Sequence, residues 1–331
     1  LSKLGANNWM PPRNNNFAGK ERQVGIELEF SGCEPEDIIH CITRCFGGSQ
    51  HKESIFHYQV KETELGDFTL ELDAAVLQAM VQPDKNQSTD SDDTTLTHSL
   101  LKFAAEQIVP WEVVAPPVSI SQLARLTELF SCLRKKGALG THHAAHYAFG
   151  LHLNPDLPAL DASTLVSYMQ AYLCLYDWLY AKENIDLSRK VMPYIDHFGK
   201  DYILTVIDPD YQPNRDGFIR DYLHYNPTRN RSLDLLPLIA YIDDKWVAEL
   251  DDKALIKPRP TFHYRLPNCD IDNADWDLYQ PWSLWLKVEQ LANNPALLKR
   301  FIKEFREHYQ RFTHGFDNKW CQRCEQLLEK L

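Results

Sequence analysis

Glutamates stand at positions 27 and 29 of the run Gln23-Val24-Gly25-Ile26-Glu27-Leu28-Glu29-Phe30. A spacing of two is what a β-strand needs to aim two carboxylates at one point, since alternate side chains share a face. Ile26, Leu28 and Phe30 then fall on the other face. Two carboxylates about 7 Å apart along a strand repel one another, and a divalent cation placed between them reverses the sign. Hard oxygen ligands of this kind suit magnesium or manganese, ions that commonly accompany substrate phosphates. The same spacing also fits a strand with a solvated acidic face.

Three further segments repeat the pattern with different chemistry. Phe68-Thr69-Leu70-Glu71-Leu72-Asp73 places Glu71 and Asp73 together, a second acidic pair. In Ala145 to Asn154 the residues His146, Ala148, Gly150, His152 and Asn154 share one face, which offers neutral ligands among small neighbours. Arg259-Pro260-Thr261-Phe262-His263-Tyr264-Arg265 puts Arg259, Thr261, His263 and Arg265 on one side, subject to a break at Pro260. Acids, an imidazole, a carboxamide and guanidiniums together are what a site for a metal-bound, phosphorylated anion requires.

The elements that must carry these residues alternate without the regular rhythm of a parallel doubly wound fold. The pattern predicts a helix over Glu36 to Cys45 and a hairpin of Ile55 to Glu62 with Asp67 to Asp73, turning at Leu65-Gly66-Asp67. Gln82 to Thr95 reads as a polar acidic loop, a lid or merely solvated, and Leu96 to Gln107 as a helix. Trp111 to Val114 is a strand carrying Glu112 and stopped by Pro116-Pro117, followed by a helix over Ser121 to Lys136. Ser163 to Lys182 is a long aromatic helix, and two or three amphipathic helices follow Trp276. His142 and His143 sit in a turn and are expected to face solvent.

A chain of 331 residues can bury a large core, and a net charge of -11 offers no general attraction to nucleic acid or to an anionic membrane. No apolar run is long enough to cross a bilayer, and Leu1 to Asn16 lacks the apolar core of a secretion signal, so the expected setting is the cytoplasm. The eight cysteines include a Cys41/Cys45 pair and a lone Cys321-x-x-Cys324 without a second half, which favours free thiols over zinc or disulfides.

Val24 to Phe30, then Trp111-Glu112-Val113-Val114-Ala115-Pro116-Pro117, then Phe149 to Asn154, resemble the successive signatures of the amidoligase family. That family belongs to the carboxylate-amine ligase superfamily with glutamine synthetase and glutamate-cysteine ligase. Tyr225 to Arg231 and Arg259 to Asn268 also resemble it, so the likeness runs from about residue 23 to 280. The resemblance implies an α+β fold in which a curved, mainly antiparallel sheet with flanking helices forms a glutamine-synthetase-like core. Residues 21-331 would be one catalytic domain, helical from about residue 275, after an extended segment over residues 1-20.

By the same resemblance the cofactors are ATP and Mg2+ or Mn2+. Glu27, Glu29, Glu112 and His152 would hold the metal, and Arg229, Arg231, His152 and Asn154 would contact the nucleotide. Arg259 and Arg265 would grip the transferring phosphoryl group or the substrate carboxylate, with His263 and Glu112 completing the catalytic set. His263 departs from the glutamate that many relatives carry there; Glu71 or Asp73 are the acids available to make up the charge. The implied reaction joins a small-molecule or peptide carboxylate to an amine through an acyl phosphate. An amidotransferase partner supplying ammonia is compatible with it. The residues alone leave open a guanidino-kinase-like phosphotransferase, a metal-dependent hydrolase and a non-catalytic binding protein.

Overall fold

The computed structural model describes residues 9–72, 111–143, 149–185, 189, 195–310 and 318–331. The expectations for Asp73, for the loop from 82 to 95, for the helix from 96 to 107 and for His146 fall outside the described residues. In chain order the strands are β1 (Gln23–Phe30), β2 (Ser49–Lys52), β3 (His57–Thr63), β4 (Gly66–Leu72), β5 (Trp111–Val114), β6 (Val118–Ser119), β7 (Leu151–Pro155), β8 (Leu233–Asp234) and β9 (His263–Tyr264). The helices are α1 (Pro35–Phe46), α2 (Leu126–Lys135), α3 (Ala162–Lys182), α4 (Lys200–Val206), α5 (Arg215–Tyr225), α6 (Leu236–Ile242), α7 (Tyr279–Ala292), α8 (Pro295–Tyr309) and α9 (Lys319–Leu328).

All nine described strands belong to one open sheet in the order β2-β3-β4-β5-β1-β7-β9-β8, with β6 also paired to β1. Every ladder between them is antiparallel. The fold is α+β, and the strand carrying both glutamates lies well inside the sheet. That position has a consequence for the acids. β5 and β7 flank β1, so Glu27 and Glu29 are only 8% and 9% exposed, and the acidic face is covered rather than solvated.

The opposite face of β1 packs as its alternation demands, with Val24, Ile26, Leu28 and Phe30 buried. α1 begins with Pro35 at its first turn and carries Glu36 and Asp37 there, which suits the positive end of the helix dipole. It packs on β3 and β4, where Phe46 stacks on Phe68. α3 is capped by Asp161, whose carboxylate accepts from Thr164 N–H. It is buried nearly all round because α5, α7, α8 and α9 surround it. Three described helices follow Trp276, where the amphipathic pattern predicts two or three. No described helix is long and apolar enough to cross a membrane.

Two expectations are corrected. Cys41 and Cys132 form a disulfide between α1 and α2, with Cα atoms 5.6 Å apart, where the sequence favours free thiols. Packing of α1 on α2 brings residues 91 apart within disulfide reach, which spacing along the chain cannot reveal. The segment from Arg259 to Arg265 contributes only His263–Tyr264 as strand. Pro260 lacks a ladder donor, and just before β9 the pairing thins to a bridge from Thr261 to Asp156, past the end of β7, and a bond from the Phe262 N–H to the Pro155 carbonyl.

A buried ion pair ties β1 to the C-terminal helices. The Arg22 guanidinium donates to both oxygens of Glu289 at 2.5 and 3.0 Å, and its Nε donates to the Asp156 carbonyl. Tyr168 and Trp285 also donate to the Glu289 carboxylate. Both charged side chains are fully buried, so removing one strands the other in a low dielectric. Arg22→Met is expected to lower the unfolding free energy by about 3–5 kcal/mol, and Arg22→Met with Glu289→Leu by less than that, as read by urea denaturation.

Candidate active site

The register of the sheet sets the site. Glu71, Glu112 and Glu29 stand directly opposite one another on β4, β5 and β1. On the same face Glu27 is opposite His152, and Gly25 is opposite Asn154. Like charges facing each other across strands about 5 Å apart are unfavourable, so this row of acids calls for a cation. The alternation that the sequence shows strand by strand thus becomes a continuous acidic and imidazole face.

Glu27 is the centre of the contacts. Its Oε1 accepts from Asn154 Nδ2 at 3.0 Å and from Arg259 at 2.9 Å, while its Oε2 lies 3.0 Å from His152 Nδ1. The other nitrogen of His152 faces Glu29 Oε1 at 3.4 Å, so one ring spans both glutamates. Glu29 Oε2 accepts the backbone N–H of Gly150 at 2.8 Å. His263 Nε2 approaches Glu27 Oε2 at 3.9 Å, and its Nδ1 lies 2.5 Å from Asn154 Oδ1 and 2.6 Å from Arg259. Two groups therefore converge closely enough to share an ion: Glu27, His152 and His263, and Glu29, Glu112 and His152.

Electrostatics follow from burial. Burial pushes His152 down to about 4, against the hydrogen bond to Glu27 that favours its cation. Burial also holds His263 well below the usual histidine range, with Arg259 and Arg265 adding to the effect and Glu27 opposing it. Burial disfavours ionised Glu27, but its coupling to His263, the charge of Arg259 and the hydrogen bond to His152 hold its carboxyl well below the ordinary value. With both rings neutral at neutral pH, Arg259 is the cation that keeps Glu27 ionised. Neutral imidazoles beside carboxylates are metal-ready donors, so the residues present fit a divalent cation.

Of the residues singled out from sequence, Glu27, Glu29, Glu112, His152, Asn154, Arg259 and His263 are brought together. Arg265 is close enough to His152 and His263 to act on both electrostatically, and it donates to the Arg229 carbonyl at 3.0 Å. Arg229 is in turn depressed, first by burial and then by Arg265, so the two guanidiniums lie within electrostatic reach of one another. Arg231 goes elsewhere: it donates to Asn226 Oδ1 and the His197 carbonyl and covers the Phe198 ring. Glu71 lies at the far end of the acidic row, beside His57. His142 and His143 are exposed and face Asp270 and Asp272.

This geometry joins the family likeness that the motifs carry. The family model described as "Putative amidoligase enzyme" matches residues 20–287, well over half of the chain. The chain belongs to this family. A search of curated proteins gave no match. An amidoligase is an enzyme of the ligase class, forming an amide bond.

Two residues of this amidoligase site are not legible from strand alternation. Arg189 is buried against Gly150 beside the start of β7, where it donates to the carbonyls of Arg265, Leu266 and Pro267 and shares the field of Glu29. It fastens the arginine-bearing segment to the acidic strand. Gly150 makes room for it, because a Cβ there would sit 2.6 Å from the Arg189 guanidinium. Asp234, opposite His263, is pushed up to about 6 by burial, against the pull of the Leu236 N–H and of Arg265, Arg229 and Arg259. Arg189 sits in no alternating polar run and Asp234 only in the short Ser232-Leu233-Asp234-Leu235 alternation, so the tertiary contacts disclose both.

Gly150→Ala is expected to lower stability by about 1–3 kcal/mol through this clash, and to cost less when introduced into an Arg189→Ala background, as measured by thermal melting. Behind Arg189, burial pushes Glu183 up to about 8 although Arg189 opposes the shift. The folded chain therefore keeps a proton that the unfolded chain releases near the ordinary glutamate value. Stability should fall as pH rises from about 5 to 8 and level off above, and Glu183→Gln should flatten that slope in melts taken across the range.

Proposed function

We propose that this amidoligase is an ATP-dependent carboxylate-amine ligase on a glutamine-synthetase-like core, acting on a small-molecule or peptide carboxylate. The observation that carries the reading is the juxtaposition of the acid and imidazole cluster with Arg229, Arg259 and Arg265 on one stretch of sheet. The family match supports amide formation over phosphoryl transfer or hydrolysis as the net reaction.

A carboxylate resists an amine because its oxygen leaves poorly and its charge repels the nucleophile. In the proposed reaction a substrate carboxylate oxygen attacks the γ-phosphorus of ATP, the bond to ADP breaks, and an acyl phosphate forms. The amine nitrogen then attacks the acyl carbon, phosphate leaves and one proton is lost. Divalent ions held by Glu27, Glu29, Glu112, His152 and His263 would neutralise phosphate charge.

The chain's own groups supply the rest. Arg265 and Arg229 stabilise the negative charge that spreads over the phosphoryl oxygens and the leaving phosphate. Arg259 donates to Glu27, so its guanidinium can hold either that carboxylate or an incoming substrate anion. Asp234, with its affinity for protons raised towards neutrality, is a base of suitable strength to accept the ammonium proton.

The test is release of ADP that requires both an acid and an amine, with mass detection of the amide. Glu27→Gln and Arg265→Ala are each expected to cut that turnover by about 100-fold or more with the fold retained by circular dichroism. ADP release with no dependence on an amine would sink the ligase reading and favour a phosphotransferase.

A further inference from the structure

The cluster around Glu27 has an unusual ligand balance for a phosphate-handling magnesium site. Its three converging donors are one carboxylate oxygen and two imidazole nitrogens, and all three residues are buried. Glu27 Oε2 lies 3.0 Å from His152 Nδ1 and 3.9 Å from His263 Nε2. Ligands about 2.1 Å from a common ion stand about 3.0–3.4 Å apart, so Glu27 and His152 already have ligand spacing and His263 has about half an ångström to close towards Glu27.

The outer contacts leave these same atoms facing inwards. Asn154 and Arg259 occupy Glu27 Oε1, which leaves Oε2 for an ion. Asn154 Oδ1 lies against His263 Nδ1, which leaves Nε2. Glu29 faces the far nitrogen of His152, so that nitrogen can donate to a carboxylate while Nδ1 binds metal. A carboxylate behind a ligating histidine fixes its tautomer and strengthens it as a donor.

Magnesium prefers oxygen donors and retains its waters, and its binding rests mainly on ligand charge. This set brings one negative charge, and Arg259, bonded to Glu27, offsets part of it. Transition ions gain additional bonding from imidazole nitrogen, which offsets the weak charge. We propose that Glu27, His152 and His263 form a site selective for an imidazole-binding first-row transition-metal dication over Mg2+, with His263 as the residue that sets the preference. The inference rests on the reading of this cluster as a cation site of the ligase, but it is tested by binding alone.

Full-length protein stripped with a chelator would be titrated calorimetrically with Mn2+, Co2+ and Mg2+ separately, and the Mn2+ complex examined by pulsed electron paramagnetic resonance. Wild type is expected to show nitrogen couplings from two imidazoles and a Co2+ affinity far above that for Mg2+. His263→Glu should remove one coupling and shrink the Co2+ to Mg2+ affinity ratio by about tenfold or more, and His142→Ala should change neither. An unchanged ratio in a folded His263→Glu, or wild-type Mn2+ bound without nitrogen coupling, overturns the proposal. Where His263→Glu fails to fold, the wild-type couplings decide it. Absence of ADP turnover with these couplings present would count against the ligase reading and leave the metal preference standing.

Discussion

A buried, ionised carboxylate is costly unless it is surrounded by hydrogen bonds and opposite charge, and Glu27 meets that condition through two stretches of chain distant from its own. β1 supplies the acid, β7 supplies His152 and Asn154, and the segment entering β9 supplies Arg259 and His263. β5 adds Glu112 on the other flank, opposite Glu29. Each partner is in place only when the sheet has assembled in one register. A slip of one residue between β1 and β7 would turn His152 away from Glu27 and bury an unpaired charge.

That dependence explains why so much of the surrounding structure is spent on holding strands rather than on touching substrate. Arg189 fastens the end of β9 through three carbonyls, and the Arg22 and Glu289 pair locks the start of β1 to α3 and α7. Tyr172, Tyr264, Phe262 and Trp285 pack edge-on or tilted beneath β9, so that a two-residue strand is positioned by aromatic contacts as much as by its ladder. The rigidity of this support is what allows short strands to carry a site.

The site also has an internal division. On one side of His152 lie Glu29 and Glu112 with oxygen donors, and on the other lie Glu27 and His263. The guanidiniums of Arg229, Arg259 and Arg265 border this second side. Cationic and anionic groups in one buried face suit a reaction in which phosphate charge must be both attracted and moved, and the family to which the chain belongs forms amide bonds.

Alternation alone determined the chemistry of each face: Glu27 with Glu29, His152 with Asn154, Arg259 with His263, and the apolar sides that bury them. It also determined the hairpin of β3 and β4, the stop at Pro116-Pro117 and the three closing helices, because turn residues and apolar period act locally. Only the tertiary structure decided that Glu112 stands between Glu29 and Glu71, that Arg231 turns to Asn226, that Cys41 reaches Cys132, and that Arg189 and Asp234 join the site. Those choices depend on strand order, register and helix packing, which are set by the burial of distant segments against one another and leave no mark in the spacing of neighbours along the chain.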